Sequence, residues 1–233
     1  MSLPAIRHID ATDFDVGAPQ WPLAVERRAD IDRNFAERKR AQPKLWNGRV
    51  LLFRDVACHG GTLAGRAFET DFASFLWWRG TGFPDDAVRN VFGMAAVRGR
   101  DGGFLLGVMA DHTAAAGQVY FPAGTPDPGD VRGGRVDLAG SVVRELREET
   151  GLDAVAFRAE PGWTAVFAGP RIAVIKVFAA DQTCAALLAR VRAGIGADPE
   201  AELADVIAVY RRADIPAAAP VFMRAYLTAS LSD

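Results

Sequence analysis

The chain has few of the residues that build disulfide frameworks, zinc sites or membrane spans. Its two cysteines, Cys58 and Cys184, lie far apart and form no C-x-x-C pair, which excludes a disulfide framework and is typical of a reducing compartment. The three histidines are widely spaced and give no zinc-binding pattern. No uninterrupted apolar stretch reaches membrane-spanning length, and the charged N-terminal segment has no apolar h-region. We therefore expect a cytoplasmic protein with no membrane partner.

The chain also has no excess of charge of either sign. Lysine and arginine total 27 against 29 aspartate and glutamate, a formal net charge of −2. Without a basic excess, sequence-independent binding to nucleic acid is not expected, although a small phosphate-bearing ligand held through metal ions is compatible with this balance. Apolar residues make up 50% of the 233 residues, an ordinary globular composition. This length predicts one large domain or one domain plus an extension.

The first third of the chain reads as an extension. Residues 26–44 predict an exposed helix whose charges alternate in sign. Residues 48–72 predict two strands that turn at His59–Gly61, where a Gly-Gly pair supplies the positive φ that a hairpin needs. A short apolar aromatic segment then caps the sheet, and Pro84–Asp86 marks a boundary. We therefore divide the chain into an N-terminal extension, residues 1–85, and a second domain, residues 86–233.

The second domain alternates strand-like and helix-like segments. Apolar runs on either side of Gly99–Gly103 predict a hairpin of buried strands, and a long Gly/Pro-rich loop follows. Residues 137–150 have helical periodicity, with Asp137 placed to cap the N-terminus and Gly151 in the position of a C′ glycine. Further strands, a helix near residues 184–195 and a terminal helix complete the chain. This alternation predicts an α/β fold with a mixed sheet covered by helices.

The predicted helix over residues 137–150 carries carboxylates beside its apolar face. Glu145 and Glu149 fall at the edge of an apolar stripe on that helix, and Glu148 lies three residues from Glu145, while Arg147 points toward solvent. The stripe consists of Leu138, Val142 and Leu146. Inward-facing carboxylates four residues apart repel each other and lose hydration. A hard divalent cation with oxygen ligands would offset both effects.

A plainer interpretation explains the same residues without a ligand. A salt-bridged surface helix, with Arg144 pairing Glu148 four residues on, has the same local sequence. The preceding segment favours the metal site, because the strand end and loop from Phe121 to Asp130 lead into this helix. Such a loop can present a backbone carbonyl to a metal that the helix carboxylates hold.

These two segments together resemble the box of the Nudix hydrolase family, G-x5-E-x7-R-E-U-x-E-E-x-G-U, where U is a bulky apolar residue. The second half matches at every defined position from Arg144 to Leu152. The first half matches as Gly124-x5-Asp130, with Asp in place of Glu and thirteen residues instead of seven before Arg144. The extra six residues lie around 131–136 and suit a surface-loop insertion. They leave open whether Asp130 or Asp137 takes the role of the first box glutamate.

The resemblance, which covers about residues 88–215, implies a MutT-like α/β/α sandwich that uses Mg²⁺ or Mn²⁺. It implies that Glu145 and Glu149 are the principal metal ligands, helped by the carbonyl of Ala123 or Gly124. Glu148 would join them or bridge through water.

The resemblance also implies roles for residues around the metal ligands. Arg144 would orient the glutamates without touching substrate. A glutamate from a distant loop would act as base or as an extra ligand, with Glu202 as first choice and Glu200 as second. For both of these the alternative is an exposed loop acid without a function.

Three functions fit these residues. The first is a metal-dependent pyrophosphohydrolase that cleaves the diphosphate linkage of a small-molecule substrate, a nucleoside diphosphate joined to a sugar or a second nucleotide. The second is hydrolysis of coenzyme A or a nucleoside triphosphate, and the third is a non-catalytic nucleotide-binding or sensor module. The intact glutamate set favours an enzyme.

Residues 46–83 of the extension bear on the choice of substrate. They carry the two predicted strands and an aromatic run of Phe72, Phe75, Trp77 and Trp78. So short a segment can bury only part of this apolar surface by itself. We therefore expect it to pack on the Nudix core, or on a second subunit in a homodimer, and to form one wall of the substrate cleft.

Overall fold

A computed structural model describes residues 3–17, 20–198 and 200–233. Within these ranges the strands form two sheets and α-helices cover them. The strands are β1 (Ala5–Ile9), β2 (Ala11–Val16), β3 (Arg49–His59), β4 (Thr62–Asp71), β5 (Asn90–Arg98), β6 (Phe104–Met109), β7 (Val119–Tyr120), β8 (Ala123–Gly124), β9 (Val131–Arg132), β10 (Arg135–Val136), β11 (Arg158–Ala159), β12 (Trp163–Ala168), β13 (Arg171–Ala179) and β14 (Leu203–Val209). The helices are α1 (Pro22–Glu26), α2 (Arg28–Ala41), α3 (Phe72–Gly80), α4 (Leu138–Thr150), α5 (Cys184–Ala197) and α6 (Val221–Ser230). The α/β class is confirmed.

The larger sheet is mixed and lies between helices. Its main order is β1-β12-β13-β5-β6-β14, with only the β13–β5 pair parallel among these neighbours. Side chains alternate along β5, so Met94 and Ala96 pack in the cluster that contains α6, while Ala95 and Val97 pack in the cluster of α4 and α5. Burial on both faces explains the unbroken apolar run of this strand. Nowhere in the described ranges is a helix long and apolar enough to cross a membrane.

The smaller sheet has the order β3-β4-β2-β10-β9. Its β3–β4 hairpin turns at Gly60–Gly61, both with positive φ, as predicted. Residues 131–136, which we predicted to be a surface-loop insertion, instead form the β9–β10 hairpin, which joins this sheet where Arg135 lies opposite Asp15. The prediction was wrong because Gly133–Gly134 supplies a tight turn that lets two very short strands pair.

The N-terminal part of the chain contains more regular structure than its sequence predicts. β1 and β2 were not predicted, because Ile9 and Phe14 are the only fully buried residues in two otherwise polar or exposed strands. The predicted helix over 26–44 is α2, with the short α1 before it. The aromatic segment is helix α3. Asp71 caps its N-terminus by accepting a hydrogen bond from the backbone N–H of Ser74 at 2.7 Å.

The N-terminal extension and the rest of the chain share a hydrophobic core. β1 pairs with β12 of the larger sheet along its whole length. One buried cluster contains Phe14 and Phe53 from the extension together with Val91 and Val174 from beyond it. The extension thus packs on the sheet as we expected. The division at residue 85 stays a prediction about folding units, since the packing shows no gap there.

This shared core predicts that the two parts unfold together. Phe53 is fully buried, packs edge-on against Phe14 at 4.8 Å between ring centroids, and exchanges backbone hydrogen bonds with Arg89. Phe53→Ala should therefore lower the free energy of unfolding by about 3–5 kcal/mol. Denaturant unfolding, followed by tryptophan fluorescence and far-UV circular dichroism, should show one cooperative transition shifted as a whole.

A control for this substitution lies on the surface. Val155 is 89% exposed, so Val155→Ala should change the free energy of unfolding by less than about 0.5 kcal/mol. Two separate transitions, of which Phe53→Ala moves only one, would contradict the shared core.

Candidate active site

Helix α4 holds the central carboxylates, and its sequence fixes both of its ends. Asp137 caps the N-terminus by accepting a hydrogen bond from the Gly140 N–H at 2.9 Å. Gly151 ends the helix in the left-handed conformation with φ 68°, which a residue with a side chain rarely adopts. Both ends are as predicted. The apolar stripe of the helix, Leu138, Val142 and Leu146, is fully buried against the larger sheet.

This packing turns Glu145 and Glu149 toward the β8 segment. Glu149 is only 7% exposed, and its Oε1 accepts a hydrogen bond from the Ala123 N–H at 3.0 Å. Its Oε2 is buried and has no hydrogen-bond partner among the described residues. The Glu145 carboxylate lies so close to Gly124 that a Cβ at that position would overlap it. Glycine is therefore required at residue 124 if Glu145 is to keep this position.

Burial raises the pKa of both carboxyl groups. For Glu149 the pKa lies well above the ordinary value, because lost hydration and the nearby Glu145 and Glu202 outweigh the hydrogen bond from Ala123. For Glu145 burial raises the pKa to about 7, with Arg144 acting in the opposite direction. Two neighbouring carboxyl groups with raised pKa values beside a cleft make this a candidate functional site.

Arg144 connects the box residues to one another. Its guanidinium lies 2.9 Å from Glu145 Oε1, 3.0 Å from Glu148 Oε2 and 3.0 Å from Asp130 Oδ2. The ion pair with Glu148 that a plain surface helix would form is therefore present, but it is one of three. Contacts to three carboxylates suit the orienting role that the family resemblance implies for Arg144.

Asp130, and not Asp137, is the aspartate that contacts Arg144. Asp130 is 5% exposed and also accepts hydrogen bonds from Ser141 Oγ and the Asp127 N–H, each at 3.1 Å. The backbone N–H of Asp137 donates to the Asp130 carbonyl at 2.8 Å, so the hairpin between them closes on itself. This hydrogen bond brings Asp130 next to Asp137, so the six residues between them do not separate Asp130 from the start of α4.

The structure brings together only two of the three predicted helix ligands. Glu148 is exposed and bends back to Arg144 at the outer rim of α4. Among residues 3–17, 20–198 and 200–233, no three histidine, cysteine, aspartate or glutamate side chains form a preassembled metal site. The Glu145–Glu149 pair still fits a hard cation, because it offers carboxylate oxygens and one buried oxygen without a donor beside the Ala123–Gly124 backbone.

The two distant glutamates have different surroundings. Glu202 lines the same cleft as Ala123 and Gly124 and is close enough to act electrostatically on Glu145 and Glu149. Glu200 instead pairs with Lys44 at 2.6 Å, where both side chains are exposed. Of the two candidates, the structure therefore places Glu202 at the site.

The cleft beside these carboxylates has a volume of about 420 Å³. Part of its wall comes from the N-terminal extension, as we expected. The extension contributes Val50, Phe72, Phe75 and Arg79, and the rest of the lining includes Asn90, Phe92, Met109, Tyr120, Arg171 and Phe222. Sequence reasoning missed the polar members of this wall, since Arg79, Asn90 and Arg171 lie in three separate segments and form no local motif. The one local signal for this wall was Asn90, a polar residue at the start of an apolar strand.

Comparison with known proteins gives matches only among solved structures. No protein-family profile and no curated protein matches the sequence. The similar structures include RenU, a Nudix hydrolase from M. smegmatis, with 18% identity and a TM-score of 0.32 over 51% of this chain and 68% of that one. They also include a MutT protein from Methanosarcina mazei Go1, with 22% identity and a TM-score of 0.29 over 41% of this chain and 64% of that one, and the Bacillus subtilis pyrophosphohydrolase BsRppH, with 15% identity and a TM-score of 0.31 over 58% and 68%. TM-scores this low leave the function to be argued from the site residues. RenU is described as a Nudix hydrolase, the family that the box sequence of this chain resembles.

Proposed function

We propose that this protein is a Mg²⁺- or Mn²⁺-dependent pyrophosphohydrolase of the Nudix type. Its substrate would be a nucleoside diphosphate joined through the diphosphate to a sugar or a second nucleotide. The observation that carries the proposal is the buried Glu149 Oε2, which has no donor among the described residues. Glu149 and Glu145 lie against Ala123 and Gly124, which line a cleft. A cation is the simplest partner for two half-desolvated carboxylates.

Four residues would hold the metal. Glu145 and Glu149 would supply carboxylate oxygens and Ala123 or Gly124 a carbonyl, while Glu148 would take part through water from the rim. A divalent cation bound there would neutralise diphosphate charge and make a water molecule more acidic.

Two further residues of the site would position the glutamates and accept a proton. Arg144, anchored by the buried Asp130, keeps the carboxylates of Glu145 and Glu148 in place. Glu202 is exposed within the cleft lining and is not engaged by a cation in the described part of the chain. It is therefore free to accept a proton from the attacking water.

The shape of the cleft supports a nucleotide-sized substrate. Its volume lies within the range of about 300–1,000 Å³ that small-molecule sites occupy. Aromatic rings from both the extension and the larger sheet line it, so a base has apolar surface to contact. Coenzyme A, nucleoside triphosphates and simple binding without hydrolysis are the alternatives. The cytoplasmic location, the absence of a nucleic-acid partner and the homodimer stay predictions.

A substrate panel tests the reaction. Nucleoside diphosphate sugars, dinucleoside diphosphates, coenzyme A and nucleoside triphosphates would each be incubated with Mg²⁺ or Mn²⁺ and the products separated by chromatography. We expect nucleoside monophosphate from the first two classes, no turnover with EDTA, and recovery when the metal is restored. Turnover confined to coenzyme A or triphosphates would replace the proposed substrate, and no turnover of any class would favour a binding module.

Glu149→Gln should lower kcat by at least about 10²-fold, because it removes a ligand charge where the transition state gathers charge. The matched control is Glu37→Gln, an exposed glutamate of α2, which should leave kcat and KM unchanged. Steady-state kinetics at saturating Mg²⁺ measures both. Equal turnover of Glu149→Gln and the parent protein would show that α4 is structural.

The same substitution should have the opposite effect on stability. In metal-free protein Glu149→Gln removes a buried carboxyl group whose ionised form burial disfavours and which has one unpartnered oxygen among the described residues, so Tm should stay equal or rise. The parent protein should gain about 2.7 kcal/mol at a Mg²⁺ concentration one hundred times the Kd, and the variant should gain much less. Thermal unfolding with EDTA and with MgCl₂ measures these shifts. If Glu149→Gln had a lower Tm than the parent protein in EDTA and the same gain in Tm with Mg²⁺, a metal-binding role would be contradicted.

A further inference from the structure

Two arginines in the cleft have no acidic partner among the residues that the structure describes. Arg79 on α3 and Arg171 at the start of β13 both line the cleft and are half-buried. The guanidinium of Arg79 lies over the Phe75 ring at 5.5 Å from its centroid, and that of Arg171 lies over Phe222 at 5.3 Å. Stacking on rings from two different elements holds both groups in the wall of the cleft.

Their hydrogen bonding is incomplete. Arg79 donates to the Ala114 carbonyl at 3.2 Å, and Arg171 Nε is buried without an acceptor among the described residues. Neither arginine forms an ion pair with a carboxylate in the described ranges. Several other half-buried arginines do form such pairs: Arg28, Arg54, Arg98 and Arg144. A desolvated cation without a counter-charge is unfavourable, so Arg79 and Arg171 would each gain from an anionic ligand.

The charges around the two arginines do not compensate them. Burial lowers the pKa of both groups, and for Arg79 the positive charges of Arg38 and Arg171 lower the pKa further. Tyr120 acts on the Arg79 pKa in the opposite direction, but its own pKa is raised by burial, so it stays neutral. The cleft therefore has uncompensated positive charge on one wall.

Asn90 adds an unused acceptor at the same place. It is 6% exposed, it lies opposite Arg171 in the register of β5 and β13, and it lines the cleft. Its side-chain Oδ1 is buried with no donor in the described part of the chain. A buried carbonyl oxygen that stays unpaired is unfavourable, and a ligand hydroxyl or N–H would satisfy it.

We propose that Arg79, Arg171 and Asn90 form a phosphate-binding subsite, separate from the Glu145–Glu149 pair, that takes the substrate phosphate remote from the metal. The two guanidiniums would bind the phosphate oxygens, as planar arginine forks do, and a neighbouring sugar hydroxyl would donate to Asn90 Oδ1. The assignment rests on the proposed function in treating the ligand as a diphosphate substrate. Because Arg79 comes from α3, the N-terminal extension would take part directly in substrate selection.

Binding without metal isolates this subsite. In EDTA, isothermal titration with ADP and with inorganic phosphate should show ADP binding that weakens at high salt. Arg79→Gln and Arg171→Gln should each raise the Kd for ADP at least 10-fold. Arg40→Gln, an exposed arginine of α2, is the matched control and should leave the Kd unchanged. Glu149→Gln should leave it unchanged or lower it, because it removes a negative charge from the same cleft.

Two further measurements separate binding from folding. Removing an arginine that has no ion pair should leave Tm equal or higher, whereas a structural arginine would lower it. In the metal-loaded enzyme both variants should raise KM at least 10-fold with little change in kcat, and Arg→Lys at either position should recover part of the loss.

The outcomes distinguish this proposal from the proposed function. Unchanged ADP affinity and KM in both arginine variants would overturn the subsite even if EDTA abolishes hydrolysis. ADP binding that depends on both arginines would support the subsite even if no substrate is hydrolysed. A lower Tm in both variants, with the Lys variants giving no recovery of affinity, would also overturn it.

Discussion

The buried carboxylate of Glu149 is the interaction on which the rest of the site depends. One of its oxygens accepts the Ala123 N–H and the other has no donor among the described residues, so in the free protein it destabilises the fold. The fold tolerates this because the apolar stripe of α4 and the two helix ends, at Asp137 and Gly151, fix the helix independently of its carboxylates. The apolar face of α4 thus stabilises the fold, whereas the carboxylate at the edge of that face destabilises it. This combination is common where function needs a strained group.

The lengthened box keeps its geometry because the insertion is itself ordered. The β9–β10 hairpin closes through the Asp137–Asp130 backbone hydrogen bond and adds two short strands to the smaller sheet. Asp130 is therefore delivered to Arg144 from a supported position and not from a loose loop. A loop insertion is harmless to a site when its two ends are bonded to each other, since the elements that flank it then keep their separation.

The sequence predicted the parts of this structure whose signals are local. The caps and apolar stripe of α4, the β3–β4 turn and the β5–β6 hairpin are each decided by residues within one segment. β1 and β2 were missed because they are mostly exposed or half-buried strands that depend on partners far along the chain. The family resemblance implied that Glu148 would join the other two glutamates at the metal or bridge through water. Neither that resemblance nor helical spacing could show that the Glu148 side chain is exposed and pairs with Arg144, which also contacts Asp130.

The two walls of the cleft adjoin opposite charges. Glu202 lines the cleft, and Glu145 and Glu149 lie against Gly124 and Ala123, which also line it. On another part of the lining, Arg79 and Arg171 form no ion pair with a carboxylate of the described residues. These groups do not neutralise one another by pairing, so each set needs a ligand of the opposite charge. A phosphate ligand with a divalent cation provides both at once, because the cation satisfies the carboxylates and the phosphate oxygens satisfy the arginines. Neither component alone does so, which is why the two walls together point to a metal–phosphate ligand more strongly than either carboxylates or arginines would separately.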